Sequence, residues 1–207
     1  MKRRRLWAGL GAAAAVAAVA AGAAVWASLS QPDADSESAS APRTLSKAHV
    51  LVQTGILQGK YQDLHGAETS FKRALELDPG NKLAWYNLGV IAQQDGRPSD
   101  ARDAYDKALK IDPKYTSALY NEAVLLKSSE PDRAIKLLRR AIAVNPKAST
   151  AHLQLGQALA KKGRDDEARD AFRRAVAVDP ALHSHVPEPF KDSASPSPTK
   201  SQAGSTK

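Results

Sequence analysis

The stretch KLAWYNLGVIAQQDGRPSDARDAYDKALKIDPKY, residues 82–115, decides the fold. Its apolar residues recur three or four apart, the spacing of a helix that buries one face. That spacing gives helices over 82–95 and 99–111. Asp112-Pro113 stops the second helix, because the residue before a proline is pushed out of the helical region. The same residue types return at the same offsets in copies that start at Ala48, Thr116 and Ser149. A small residue falls at Gly55, Gly89, Ala123 and Gly156, and an alanine at Ala67, Ala101, Ala134 and Ala168. A large residue follows at Phe71, Tyr105, Leu138 and Phe172, then another alanine at Ala74, Ala108, Ala141 and Ala175. The closing prolines, Pro79, Pro113, Pro146 and Pro180, lie 34, 33 and 34 residues apart. A fixed period in this range means stacked supersecondary units and not one closed core.

The other copies give helices near 46–59, 66–77, 116–128, 131–144, 149–162 and 166–178. Pro131 fits a first helical turn, where its missing N–H costs nothing. One hairpin cannot cover its own apolar face; about three or more are needed for a stable stack.

The pattern resembles the tetratricopeptide repeat, most closely in the second copy, with Trp85, Leu88, Gly89, Ala101, Tyr105, Ala108 and Pro113. The other copies depart from it. Leu51, Leu119 and His152 stand where the second copy has Trp85. The third copy has Glu122-Ala123 in place of Leu88-Gly89 and lacks one residue between its helices. The resemblance covers about 135 of 207 residues. It implies an all-α, right-handed α-solenoid of four helix-turn-helix repeats, 48–81, 82–115, 116–148 and 149–182. With a partial cap at 183–190, the repeat domain is expected over 46–190. Leu182, Val186 and Phe190 are suited to shield the last hairpin, and a full amphipathic capping helix is not expected.

The resemblance also assigns a concave groove to the first helix of each pair, where the family binds extended peptides. Asn87 and Asn121 occupy the sixth repeat position, with Gln53 and Gln154 in the outer copies. A carboxamide carries both a donor and an acceptor, so a row of them can pair with peptide N–H and C=O groups. Tyr86, Val90, Tyr120 and Val124 add aromatic and apolar surface. Val52 and Ile56 stand where a chaperone-tail clamp of this family needs Lys and Asn, which argues against that ligand. Lys127 and Lys161 give a mild preference for acidic ligands.

The amino-terminal segment reads differently. Lys2 and Arg3 to Arg5, a basic flank at 1–5, precede an uncharged run from Leu6 to Pro32. A spanning helix needs about 20 apolar residues. Trp7 and Trp26 are separated by about 28 Å along a helix, close to a bilayer core, and tryptophan favours both interfaces. Residues 6–29 are therefore read as one transmembrane anchor preceding the repeats, with the cations cytoplasmic and the repeats extracytoplasmic. Val25-Trp26-Ala27 also resembles a cleavage signal before Ser28, so a secreted or periplasmic form remains an alternative. Residues 30–45, rich in Ser, Ala, Asp and Pro, read as a flexible linker, and the Ser/Pro tail at 191–207 as disordered.

Charge and motifs narrow the function. Lys and Arg total 30 against 22 Asp and Glu, and 26 against 22 without the first four cations. The remaining cations are interspersed with acids, which gives a solvated surface and not a nucleic-acid face. There is no cysteine, hence no disulfide, thiol nucleophile or thiolate metal site. HExxH, GxSxG and GxxxxGK motifs are absent. His183-Ser184-His185 is a weak metal signal, and Asp165-Asp166-Glu167 sits at a helix start, where carboxylates are stabilising. No enzyme, cofactor or metal is expected. The expected function is a single-pass scaffold or adaptor of the bacterial cell envelope, its partners proteins or extended peptides. A non-catalytic regulatory subunit of an envelope enzyme is a further alternative. The anchor predicts a mature protein that begins at Met1 and stays with membranes through a carbonate wash; an amino terminus near Ser28 would exclude it.

Overall fold

The computed structural model describes residues 34–194, with side chains from Arg43 onward. It divides into two compact units, Met1–Thr44 and Leu45–Lys207. The regular elements among the described residues are all helical. They are α1 (Ala34–Lys60), α2 (Leu64–Leu77), α3 (Lys82–Gln94), α4 (Pro98–Ile111), α5 (Thr116–Leu126), α6 (Pro131–Val144), α7 (Ser149–Lys161) and α8 (Asp165–Val178). A 3-10 turn, Pro180–His185, and a short helix α9 (Glu188–Ala194) follow. From α3 onward each helix packs against its neighbours in the chain, and α3 also reaches α5, so successive hairpins stack into an α-solenoid.

Local chemistry sets the ends. Asp63 caps α2 by accepting the N–H of Gly66, and Asn81 caps α3 by accepting that of Ala84. Pro98 and Pro131 open α4 and α6. Gly96 (φ 69°) and Gly163 (φ 68°) turn the chain between paired helices, in the left-handed region that a glycine enters without strain. Gln62, at the same offset in the first copy, adopts φ 64°. The third copy lacks the residue at this offset and joins α5 to α6 through Lys127–Glu130.

Within each hairpin the small residue meets the large one. A Cβ at Gly89 would lie 2.5 Å from Tyr105 Cε1, one at Gly156 2.5 Å from Phe172 Cε1, and one at Gly55 2.8 Å from Phe71 Cε1. These rings are buried, as is Leu138. The third hairpin carries Ala123, and its partner is the branched Leu138 in place of a ring. Between hairpins, ion pairs about one repeat apart run along the stack: Arg97–Glu68 at 3.1 Å, Arg102–Glu130 at 2.5 Å, Arg133–Asp106 at 2.7 Å, Arg139–Glu167 at 2.6 Å and Lys162–Asp132 at 3.1 Å. Exposed pairs of this kind contribute about 0–1 kcal/mol each, so they fix register more than they hold the stack together.

Two ends differ from the sequence expectation. α1 begins at Ala34 and not at 46, so the segment read as a flexible linker is helical from Ala34 on. Asp35 and Glu37 lie near its start, where carboxylates favour a helix, and no glycine interrupts it before Gly55. Pro42 lacks the N–H that would continue the ladder, a local cost of about 3 kcal/mol that does not end the helix. At the other end, the cap runs past 190 to Ala194. Val186, Phe190 and Ala194 are buried, Leu182 packs beside them, and the Phe190 ring lies 5.2 Å from Phe172. Arg173 Nε also donates to the Ser193 carbonyl at 3.5 Å. Pro187 ends the 3-10 turn and α9 starts directly after it, which a proline permits at a helix start. The proposed span at 6–29 and the tail from 195 lie outside the described residues; among those described, no helix is long and apolar enough to cross a membrane.

The glycine–ring contacts are open to test. Gly89→Ala is expected to lower stability, because overpacking costs about 1–3 kcal/mol against about 1 kcal/mol gained in helix propensity. Gly89→Ala with Tyr105→Leu, which reproduces the third hairpin's pair, should recover part of the loss in urea melts. Gly59→Ala, where a Cβ meets nothing within 4 Å, serves as the control and should not destabilise.

Candidate functional site

The first helices of the four hairpins, α1, α3, α5 and α7, carry the residues singled out from the sequence. Tyr86, Asn87, Val90, Tyr120, Asn121, Val124 and Gln154 are half-buried, and Gln53 is exposed. Neighbouring first helices touch through these side chains. Asn121 Nδ2 donates to Tyr86 Oη at 3.0 Å, linking α5 to α3. Lys127 Nζ donates to Gln154 Oε1 at 2.6 Å and to Gln157 Oε1 at 3.1 Å, linking the end of α5 to α7. Asn87 turns back on its own helix and donates to the Leu83 carbonyl at 2.7 Å. So the four carboxamides are not equivalent, although they share one repeat position. Asn87 and Asn121 spend an N–H internally, Gln154 spends its oxygen, and Gln53 faces solvent.

Aromatic rings back this wall. Tyr86 lies edge-on to Tyr115 at 5.2 Å and tilted to Tyr105 at 6.1 Å. Burial holds the Tyr86 hydroxyl above its ordinary pKa, with hydrogen bonds from Asn121 and Ser117 opposing it. Tyr105 is raised further by its burial, and its hydroxyl donates to Gln93 Oε1 at 3.0 Å. Tyr115 is raised by burial too, and Lys82 Nζ stands 5.4 Å from its ring centroid. These phenols therefore stay neutral donors at physiological pH. A cavity of about 520 Å³ opens between the first two hairpins, with His49, Val52, Gln53, Leu83, Asp78 and the paired Lys82 and Asp112 in its lining. It places Gln53 in a concavity without a direct bond to the other carboxamides.

One buried charge was not foreseen in its role. Glu122 is fully buried, in the place of Leu88 of the second copy. Arg133 on α6 donates to Glu122 Oε1 and, at 2.7 Å, to Asp106 on α4. Glu122 Oε2 has no partner. Burial raises the Glu122 carboxyl above the usual range, Asp106 adds to the rise, and Arg133 opposes both. A buried carboxyl with a raised pKa is a group that active sites use. Here it ties the second hairpin to the third through a shared arginine, Arg133. The sequence signal was available: an acid at an apolar offset needs a cation nearby.

The histidines have separate roles. His152 is buried and its Nε2 lies 3.0 Å from the Pro146 carbonyl oxygen, much as Trp85 Nε1 donates to the Pro79 carbonyl at 2.9 Å. His183 Nε2 meets the Lys191 carbonyl at 3.3 Å and holds the cap, while His185 contacts Ser184. Among the described residues no three His, Cys, Asp or Glu side chains converge on a metal position. Asp165, Asp166 and Glu167 lie in the first turn of α8, and Glu167 is held below its ordinary pKa by Arg164.

Stacked hairpins with a continuous wall of first helices define an α-solenoid repeat protein. A tetratricopeptide repeat profile matches residues 54–116 and 124–183, and the chain belongs to the tetratricopeptide repeat family. No curated protein matches the sequence. Among solved structures, YrrB, a tetratricopeptide repeat protein described as having an unusual peptide-binding site, is 27% identical, with 65% of this chain and 70% of YrrB covered and a TM-score of 0.60. MamA is 26% identical, covering 68% and 87%, also at 0.60. PilW, a type IV pilus biogenesis factor, is 26% identical, covering 66% and 64%, at 0.60.

The Glu122 arrangement makes an asymmetric prediction. Arg133→Met strands a buried carboxylate and should cost about 3–5 kcal/mol. Glu122→Leu leaves Arg133 paired with Asp106 and should be neutral or stabilising by about 1–4 kcal/mol. The folded chain holds the Glu122 proton more tightly than the unfolded chain does. Wild type should therefore lose stability relative to Glu122→Leu as pH rises from the unfolded value of about 4.3 through the raised one. Urea melts across pH test both statements.

Proposed function

We propose that this chain is a scaffold that binds extended segments of other proteins along the wall of first helices, held close to a membrane by its amino-terminal segment. The carrying observation is the sixth repeat position. It carries a carboxamide on all four first helices, beside Tyr86 and Tyr120 on the middle two, and Asn121 and Gln154 lie where adjoining first helices meet. Asn87 and Asn121 donate internally and keep Oδ1 available, so an incoming backbone N–H has an acceptor from each. Val90 and Val124 stand one turn further along the same helices and supply apolar contact. The likeness to YrrB, itself described as peptide-binding, supports this reading.

The membrane part rests on Leu6–Pro32, uncharged and bounded by cations and by Trp7 and Trp26, with the repeats extracytoplasmic. Val25-Trp26-Ala27 favours the second reading, a secreted or periplasmic adaptor released by cleavage.

The experiment is capture of partners from a detergent extract by wild type and by Asn87→Ala with Asn121→Ala. Each lost hydrogen bond is worth about 0.5–1.5 kcal/mol, so about tenfold weaker capture is expected, with helical circular dichroism unchanged. Capture equal to wild type would reject the carboxamide row as the binding element.

A further inference from the structure

Within the repeats, from Ala48 onward, the four first helices carry a single carboxylate, Glu122, and it is buried against Arg133. The second helices hold many, among them Glu68, Asp106, Asp132 and Glu167, and these meet the arginines and lysines of adjoining hairpins. Acids are thus sparse on the helical part of the wall, and Asp78 and Asp112 reach the concavity beside Gln53 from the ends of second helices.

Lys127 is held differently from the cations of those ion pairs. It closes α5 at the edge of that wall, half-buried, and its ammonium group touches only neutral acceptors, the oxygens of Gln154 and Gln157. An ammonium group has three donors, so one stays open and the full charge is uncompensated. Two carboxamides 2.6 and 3.1 Å away fix its position. Holding a partly desolvated cation on neutral groups leaves a strong field for an incoming anion. Lys161 lies one turn beyond Gln157 on α7 and adds charge of the same sign.

We infer that the wall selects acidic peptides, with an Asp or Glu side chain of the bound segment pairing with Lys127 between Gln154 and Gln157. This rests on the peptide-binding reading above and names the ligand class. A side-chain carboxylate fits better than a chain end. Lys127 sits in the third of four hairpins, and the row of carboxamides continues on both sides of it, through Asn121 and through Gln154, so a bound chain can run past it. The site also differs from the clamp excluded by Val52 and Ile56, because the sixth repeat position remains carboxamide throughout.

The test is selection from a random peptide library displayed on phage, using the full chain and two variants. Lys127→Gln removes the charge and keeps a polar side chain. Gln154→Glu keeps Lys127 and supplies an internal carboxylate to neutralise it. Wild type is expected to select peptides enriched in Asp or Glu. Changing the enriched acid to its amide in a selected peptide should weaken binding about tenfold, as expected for a charge-assisted hydrogen bond. Both variants should lose the enrichment and still select neutral peptides. Peptides selected by wild type without acid enrichment, or enrichment kept in both variants, would overturn the inference and leave the groove reading in place. No peptide selected by any of the three proteins would overturn both.

Discussion

The contact between a residue without a side chain and a ring sets everything else in this stack. Gly55, Gly89 and Gly156 let the first helix of a hairpin close on Phe71, Tyr105 and Phe172 of the second. That approach fixes the depth of each pair, and the depth fixes how much apolar surface remains for the next hairpin to cover. The third hairpin meets the same constraint with Ala123 against Leu138: one methyl is added on one side and a flat ring is exchanged for a branched chain on the other. Interiors are packed tightly enough for such exchanges to be felt.

The two layers that result carry different chemistry. Second helices are laced to adjoining hairpins by ion pairs on an outer, solvated surface. First helices meet through carboxamides, a phenol and an ammonium group, with few charges. A surface with few acids, backed by neutral tyrosines, is suited to contact another chain, while the mixed-sign layer keeps the stack soluble and in register. Glu122 is the point where the two layers are tied together, since Arg133 bonds to it and to Asp106 at once.

Much of this was legible before any coordinates. The period, the small–large alternation and the Asp-Pro and Asn-Pro stops gave four hairpins, and seven of the eight repeat helices both begin and end within about two residues of where the pattern puts them. What escaped the pattern was what does not repeat. α1 extends back to Ala34 through a segment whose serines and prolines resemble a linker. The cap reaches Ala194 because a proline that ends one turn starts the next helix. At the wall, sequence placed Asn87 and Asn121 on equal terms, yet one bonds to its own backbone and the other to Tyr86, 35 residues away. Periodicity identifies which side chains share a position; it does not say what lies opposite each of them. The partner of Glu122 is of the same kind, an arginine at a position that the other copies use differently.

From α3 onward each hairpin relies on its immediate neighbours, with α3 to α5 the longest reach among the helices. Among the described helices, the contacts that hold the array run between adjoining hairpins. Tension applied at the ends would therefore peel the array apart in steps and not all at once, with the terminal pairs yielding earliest. α9 and its buried Phe190 delay that event at one end. At the other, Val50 and Leu57 on α1 and Tyr61 just after it remain more than half exposed, so mechanical weakness belongs there.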